Sequence, residues 1–115
     1  MEIHPGVYRS RLTADTWEPD PDVGGEWHVL VGAPDSYVGM TRYHEDPGPV
    51  SWVLPVRETF VVLEGSARIQ IEGGPTLEVT VGDMASLPEG ARTTWHVTVP
   101  YRELWFFPRT YDEPS

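Results

Sequence analysis

The sequence contains no cysteine and no lysine. The first absence removes disulfides, thiolate metal ligands and thiol nucleophiles. The second removes Schiff-base chemistry and the phosphate-binding lysine of P-loops. Positive charge is scarce altogether, because eight arginines stand against eighteen carboxylates for a net charge of −10. An acidic surface repels phosphate backbones and anionic lipids, so neither nucleic acid nor a membrane surface is an expected partner. No apolar run approaches the ~20 residues that cross a bilayer, and no charged-then-apolar leader opens the sequence. The expected location is therefore the cytoplasm. Also missing are a G-x-S-x-G elbow, an H-E-x-x-H pair, a calcium loop of the EF-hand kind and a dinucleotide-binding glycine pattern.

What is abundant is turn-forming and aromatic. Twelve Pro and eleven Gly are spread over 115 residues, with five Trp, five Tyr and three Phe. Short runs of β-branched and aromatic residues between such punctuation predict an all-β domain of about ten strands with one core. Strands are expected near Val7–Leu12, Trp27–Val31, Tyr37–His44, Val50–Leu54, Thr59–Leu63, Ala67–Glu72, Leu77–Val81, Met84–Leu87, Thr93–Val99 and Arg102–Phe107. Glu64-Gly65, Gly73-Gly74-Pro75, Gly82-Asp83 and Glu89-Gly90 read as turns between them. Residues 1–115 form one domain in this reading. Residues 1–26 make a partly irregular arm, broken by Pro19 and Pro21, and residues 109–115 make a frayed tail.

Two stretches carry a family pattern. Glu58-Thr-Phe-Val-Val-Leu-Glu-Gly65 resembles the first cupin motif, and Gly82-Asp-Met-Ala-Ser-Leu-Pro88-Glu-Gly90 matches the second, G-x5-P-x-G, at full spacing. The chain is thereby identified as a member of the cupin superfamily, which implies a jelly-roll barrel (a double-stranded β-helix). Thr94-Trp95 after the second motif, followed by the strand Tyr101–Phe107, is similar to the ureidoglycine aminohydrolase-like branch, which includes ethanolamine-utilisation relatives. Where that branch carries a Lys, this sequence has Glu103.

The resemblance also implies where a metal would be held. Metal-binding cupins place His-x-His before the first-motif Glu and another His three residues after the last Gly of the second motif. Those positions are Trp52, Leu54 and Thr93 here, so of the four ligands only Glu58 remains. A carboxylate and a hydroxyl make an incomplete set for a transition metal, and no metal or other cofactor is expected. An unorthodox set of Glu58 with His28 and His44 is the alternative.

Trp52, Leu54, Glu58, Thr93 and Trp95 are instead expected to line one cavity. Two indoles, an aliphatic wall and few polar anchors suit a small-molecule site, or else simply fill the barrel. A lone acid in such surroundings must be paired, hydrogen-bonded or protonated. Either Arg42, Arg68 or Arg102 neutralises Glu58, or Glu58 is a general acid or base with a raised pKa. Trp105-Phe106-Phe107 puts apolar groups on both faces of one strand, which predicts a homodimer partner as cover. The leading expectation is a metal-independent cupin that binds a small, partly apolar molecule, as a binding or sensing module or as a Glu58-centred catalyst. The rivals are a metal-dependent oxygenase or aminohydrolase and a non-catalytic interaction protein with a packed barrel.

Overall fold

Alternation of inward apolar and outward polar residues sets the architecture. In the computed structural model, which describes residues 1–111, ten strands form and the described residues contain no helix. They are β1 (Glu2–His4), β2 (Val7–Tyr8), β3 (Glu18–Pro19), β4 (Glu26–Ala33), β5 (Ser36–Tyr43), β6 (Val50–Val53), β7 (Glu58–Ile71), β8 (Thr76–Thr80), β9 (Met84–Leu87) and β10 (Arg92–Phe107). β1 and β2 make a small hairpin, and the other eight strands form one continuous antiparallel sheet folded on itself.

The fold turns on two long strands. β7 and β10 pair with each other from Thr93 opposite Ile71 to Phe106 opposite Thr59. The first half of β10 also pairs with β6, and its second half with β5. β7 does the same with β9 and then β8. Each long strand therefore belongs to both layers, giving the jelly-roll barrel that disposes of most open edges.

The sequence predicts each long strand as two, with a reversal at Glu64-Gly65. The chain bends there instead of reversing. Gly65 has φ +77°, and a Cβ at this position would collide with the carbonyls of Thr98 and Pro100 on the facing strand. The register of the β7–β10 pair slips between Thr98 and Arg102, opposite that glycine. Both strands turn the corner together, so their hydrogen bonding continues on either side of it.

Side chains alternate along β10: Thr93, Trp95, Val97, Tyr101, Glu103, Trp105 and Phe107 are buried, while Arg92, Thr98 and Phe106 are exposed. Phe106 is the apolar group facing solvent for which the sequence predicts a dimer partner. The core between the layers includes Phe60, Val62, Ile69, Leu54 and Leu87, all nearly inaccessible. Each such side chain contributes roughly 1.5–3 kcal/mol by leaving water.

The arm is short-stranded and lies along the outer face of the β4 side. Ser10 donates to the Leu30 carbonyl at 2.6 Å, and β3 pairs with β4. At the other end, Arg109 pairs with Glu89 at 3.3 Å. Tyr111 packs on Phe107, with ring centroids 5.1 Å apart. The predicted frayed tail thus begins with packed residues, and its remainder, 112–115, lies outside the described residues.

Candidate functional site

A partly open cavity of about 60 Å³ enters the barrel between the two layers. One water needs roughly 10–15 Å³ measured this way, so the space admits a group of a few heavy atoms. Its walls are aromatic. Trp27, Trp52, Trp95 and Trp105 line it, four of the chain's five tryptophans, together with Tyr43 and Phe107. Glu58 and Glu103 lie in the same lining, each only 5% exposed. At the rim stand Tyr111 and the loop bearing Asp20 and Asp22.

Register explains how these side chains meet. Glu103 on β10 lies opposite Thr41 of β5 on one side and Val62 of β7 on the other. Glu58 opens β7 and Trp52 sits on β6, beside Thr93 of β10. Trp105 lies opposite Gly39, where a Cβ would strike its indole ring. The glycine is what lets that ring lie flat over the strand.

The polar atoms of the site are bonded to one another. The Trp52 indole N–H donates to Glu58 Oε1 at 3.2 Å, and the Tyr101 hydroxyl donates to Glu103 Oε1 at 3.0 Å. The two carboxyls are near enough for each to shift the other's proton affinity. Thr93 Oγ1 accepts from the Trp95 indole at 2.9 Å and donates to the Trp52 carbonyl at 2.6 Å. The Trp105 indole donates to Thr41 Oγ1 at 2.9 Å, and the Tyr43 hydroxyl to the Val23 carbonyl at 2.9 Å.

This arrangement shifts the acids strongly. Burial pushes Glu58 up to about 7, against hydrogen bonds from Trp52 and Glu103 that pull it back. Burial raises Glu103 well above the carboxylate range, and the neighbouring charge of Glu58 raises it further. Two neighbouring carboxyls in a buried site do not both ionise readily near neutrality. Glu103 thus keeps its proton beside Glu58, the first to ionise. Burial, then the charge of Glu103, also raises the hydroxyls of Tyr43 and Tyr101, so both stay protonated donors.

Of the predicted lining, Trp52, Glu58 and Trp95 meet at the cavity, whereas Leu54 and Thr93 lie outside it. Leu54 is 1% exposed and packed into the apolar core. The Thr93 hydroxyl is spent holding Trp95 and Trp52 in place.

The three arginines proposed as partners for Glu58 are all elsewhere. Arg68 is exposed; Arg42 pairs with Glu26 at 3.1 Å and covers the Trp17 ring at 4.0 Å. Arg102 follows Tyr101 and precedes Glu103, so strand alternation turns it away from the lumen; its Nε is buried without a hydrogen-bond partner. The solitary acid of the sequence reading is therefore a pair. Glu103 was the missed residue, and its signal was the alternation Tyr101, Glu103, Trp105, Phe107: once Trp105 points inward, Glu103 must too.

The residues do not fit the usual cupin metal. Two of the three histidine positions offer indole and isobutyl groups, and the third offers a hydroxyl already used as donor and acceptor. His28 packs near Trp17, with ring centroids 6.1 Å apart, and His44 is exposed beside Glu26 at 3.6 Å, so neither joins Glu58. Among the described residues no cluster of three or more His, Cys, Asp or Glu is placed to hold a metal ion.

Residues 33–111 match the family model described as the EutQ-like cupin domain. The chain belongs to this cupin family. Solved structures with the same fold include ethanolamine utilization protein Q of Salmonella typhimurium LT2, at 21% identity and TM-score 0.68, covering 82% of this chain and 80% of that one. The EutQ protein of Clostridium difficile aligns at 21% identity and TM-score 0.63, over 80% of this chain and 68% of that one. KdgF of a Halomonas species aligns at 15% identity and TM-score 0.64, over 83% and 89%. At these identities the likeness is one of fold. Comparison with curated proteins found no match. No helix among the described residues is long and apolar enough to cross a membrane.

Proposed function

We propose that this cupin binds a small, partly apolar organic molecule against the indoles of its barrel and that Glu58 and Glu103 move a proton on it. The reaction class is that of acid/base isomerases, cyclases and lyases. The observation that supports it is the buried carboxyl pair in the wall of a cavity, with unequal proton affinities and no neutralising arginine. Groups whose surroundings drive their pKa values apart are suited to acid and base roles in one site.

The residues divide the work as follows. Glu58, ionising near neutral pH, takes a proton from a carbon next to a carbonyl. Glu103, still protonated, gives its proton to the carbonyl oxygen, so the enol forms with no net change in the charge of molecule or protein. The proton now on Glu58 then passes to the neighbouring Glu103 carboxylate, restoring the pair. Trp52 and Tyr101 orient the two carboxyls through their donors, and the aromatic wall excludes water.

The test uses a panel of small carbonyl compounds in deuterated water, read by mass spectrometry, with quenching of tryptophan fluorescence reporting occupancy. Members that quench saturably are expected to gain deuterium at carbon with the wild-type protein and not with Glu58→Gln. Exchange that survives Glu58→Gln would remove the acid/base role. Absence of saturable quenching across the panel would remove the binding role as well.

A further inference from the structure

The chemistry of the lining also names a class of ligand. A site for an anion needs a positive charge or several free hydrogen-bond donors, and this wall has spent most of its donors. The indole N–H groups of Trp52, Trp95 and Trp105 are given to Glu58, Thr93 and Thr41. The Tyr43 hydroxyl is given to the Val23 carbonyl. Among the described residues no Arg or His lines the cavity. What the wall still presents is mainly the π-faces of its rings and carboxyl oxygens, with the Trp27 indole N–H beside them.

The charge balance points the same way. Among the described residues four carboxyl groups line the cavity, those of Glu58, Glu103, Asp20 and Asp22. Glu58 and Glu103 are each 5% exposed, and neither takes part in an ion pair among the described residues. Asp20 Oδ1 is engaged by the backbone amides of Asp22 and Val23, which leaves its charge unneutralised. A buried negative charge without a protein cation is an uncompensated cost that a ligand cation relieves. Rings around a negative centre recognise an organic ammonium group, since each π-face attracts positive charge and the methyl or methylene groups pack on indole. A hard inorganic cation would instead need a shell of oxygens, and the walls here are mostly hydrocarbon.

We infer that the cavity takes the head of a small organic ammonium ion, with its positive charge toward Glu58 and Glu103 and its carbon groups against Trp52, Trp95 and Trp105. This rests on the small-molecule reading above and narrows it to amine-bearing ligands.

The experiment compares three compounds of nearly one shape: tert-butylammonium, tert-butanol and pivalate. Each is titrated into the full-length protein in 0.15 M salt, about the physiological level, with tryptophan fluorescence as the readout. Saturable quenching is expected with tert-butylammonium at least roughly tenfold more tightly than with tert-butanol, and none with pivalate. Glu58→Gln is expected to erase most of the preference for the ammonium over tert-butanol, with a wild-type-like circular dichroism spectrum and melting transition reporting that the variant is folded; a preference that survives the change in a folded variant would overturn the inference. Equal affinity for tert-butanol and tert-butylammonium would overturn the charge preference while leaving the small-molecule reading intact. Displacement of tert-butylammonium by millimolar calcium would overturn it in favour of an inorganic cation. Failure of all three compounds to bind would overturn both readings.

Discussion

The sheet formed by β4, β5 and β10 treats acids differently on its two faces. On the outer face Glu26 meets Arg42 at 3.1 Å and His44 at 3.6 Å, with side chains about a third exposed or more on Glu26 and His44. On the inner face Glu103 meets another acid, a tyrosine and an indole-lined cavity, with 5% exposure. Arg102 and Glu103 are adjacent in sequence, yet alternation sends one to each side. The chain has eight arginines, and none lines the cavity. An exposed pair such as Arg42–Glu26 is screened and worth little. A buried pair of acids is costly, and its burial suits it to chemistry rather than stability.

The largest expected effect is on the inner face. Replacing Glu58 by Gln is expected to lower catalysed deuterium exchange by about 10²- to 10⁴-fold, the usual worth of a positioned base. Replacing Glu26 by Gln is expected to leave exchange unchanged, and equal losses in both variants would erase the contrast between the faces.

Stability against pH sharpens the same comparison. Glu58 and Glu103 hold protons more tightly folded than unfolded. Below the ordinary value near 4.5 both are protonated in either state and impose no titration penalty. As pH rises from there through about 7, the unfolded chain releases protons that the folded chain keeps, and stability falls. For Glu58 alone the loss is on the order of 3 kcal/mol. Urea unfolding at several pH values is expected to show this decline in wild type and a flatter profile in Glu58→Gln. A wild-type profile that rises over the window would contradict the shifts.

A smaller effect is expected at Gly39, where a methyl group would drive into the Trp105 ring. Gly39→Ala is expected to destabilise by about 1–3 kcal/mol, as overpacking does, and to change the tryptophan emission spectrum. The smallest effect belongs to the outer face. A double-mutant cycle on Arg42 and Glu26 is expected to give a coupling under about 1 kcal/mol that shrinks with salt.

Much of this was legible in the sequence. The two glycine-bearing motifs gave the barrel, and their spacing located Trp52, Leu54 and Thr93 at the positions where metal-binding cupins carry histidine. Local pattern could not show that Gly65 bends a strand instead of ending it, because that depends on a matching slip in β10, more than thirty positions away. Nor could it show which residues of a lumen-facing row reach the cavity: Leu54 and Thr93 share the row but are used in packing and in bracing the indoles. Glu103 was within reach of strand alternation alone. Its pairing with Glu58 was not, since that required the register of β7 against β10.

The account depends on two glutamates sharing one buried wall, and the direct measurement is an NMR titration of side-chain carboxyl carbon shifts across the neutral range. It predicts one glutamate with a midpoint near 7 and a second that stays protonated well beyond the ordinary carboxylate range, with both signals altered in Glu58→Gln. A titration in which every glutamate ionises near 4.5 would contradict it.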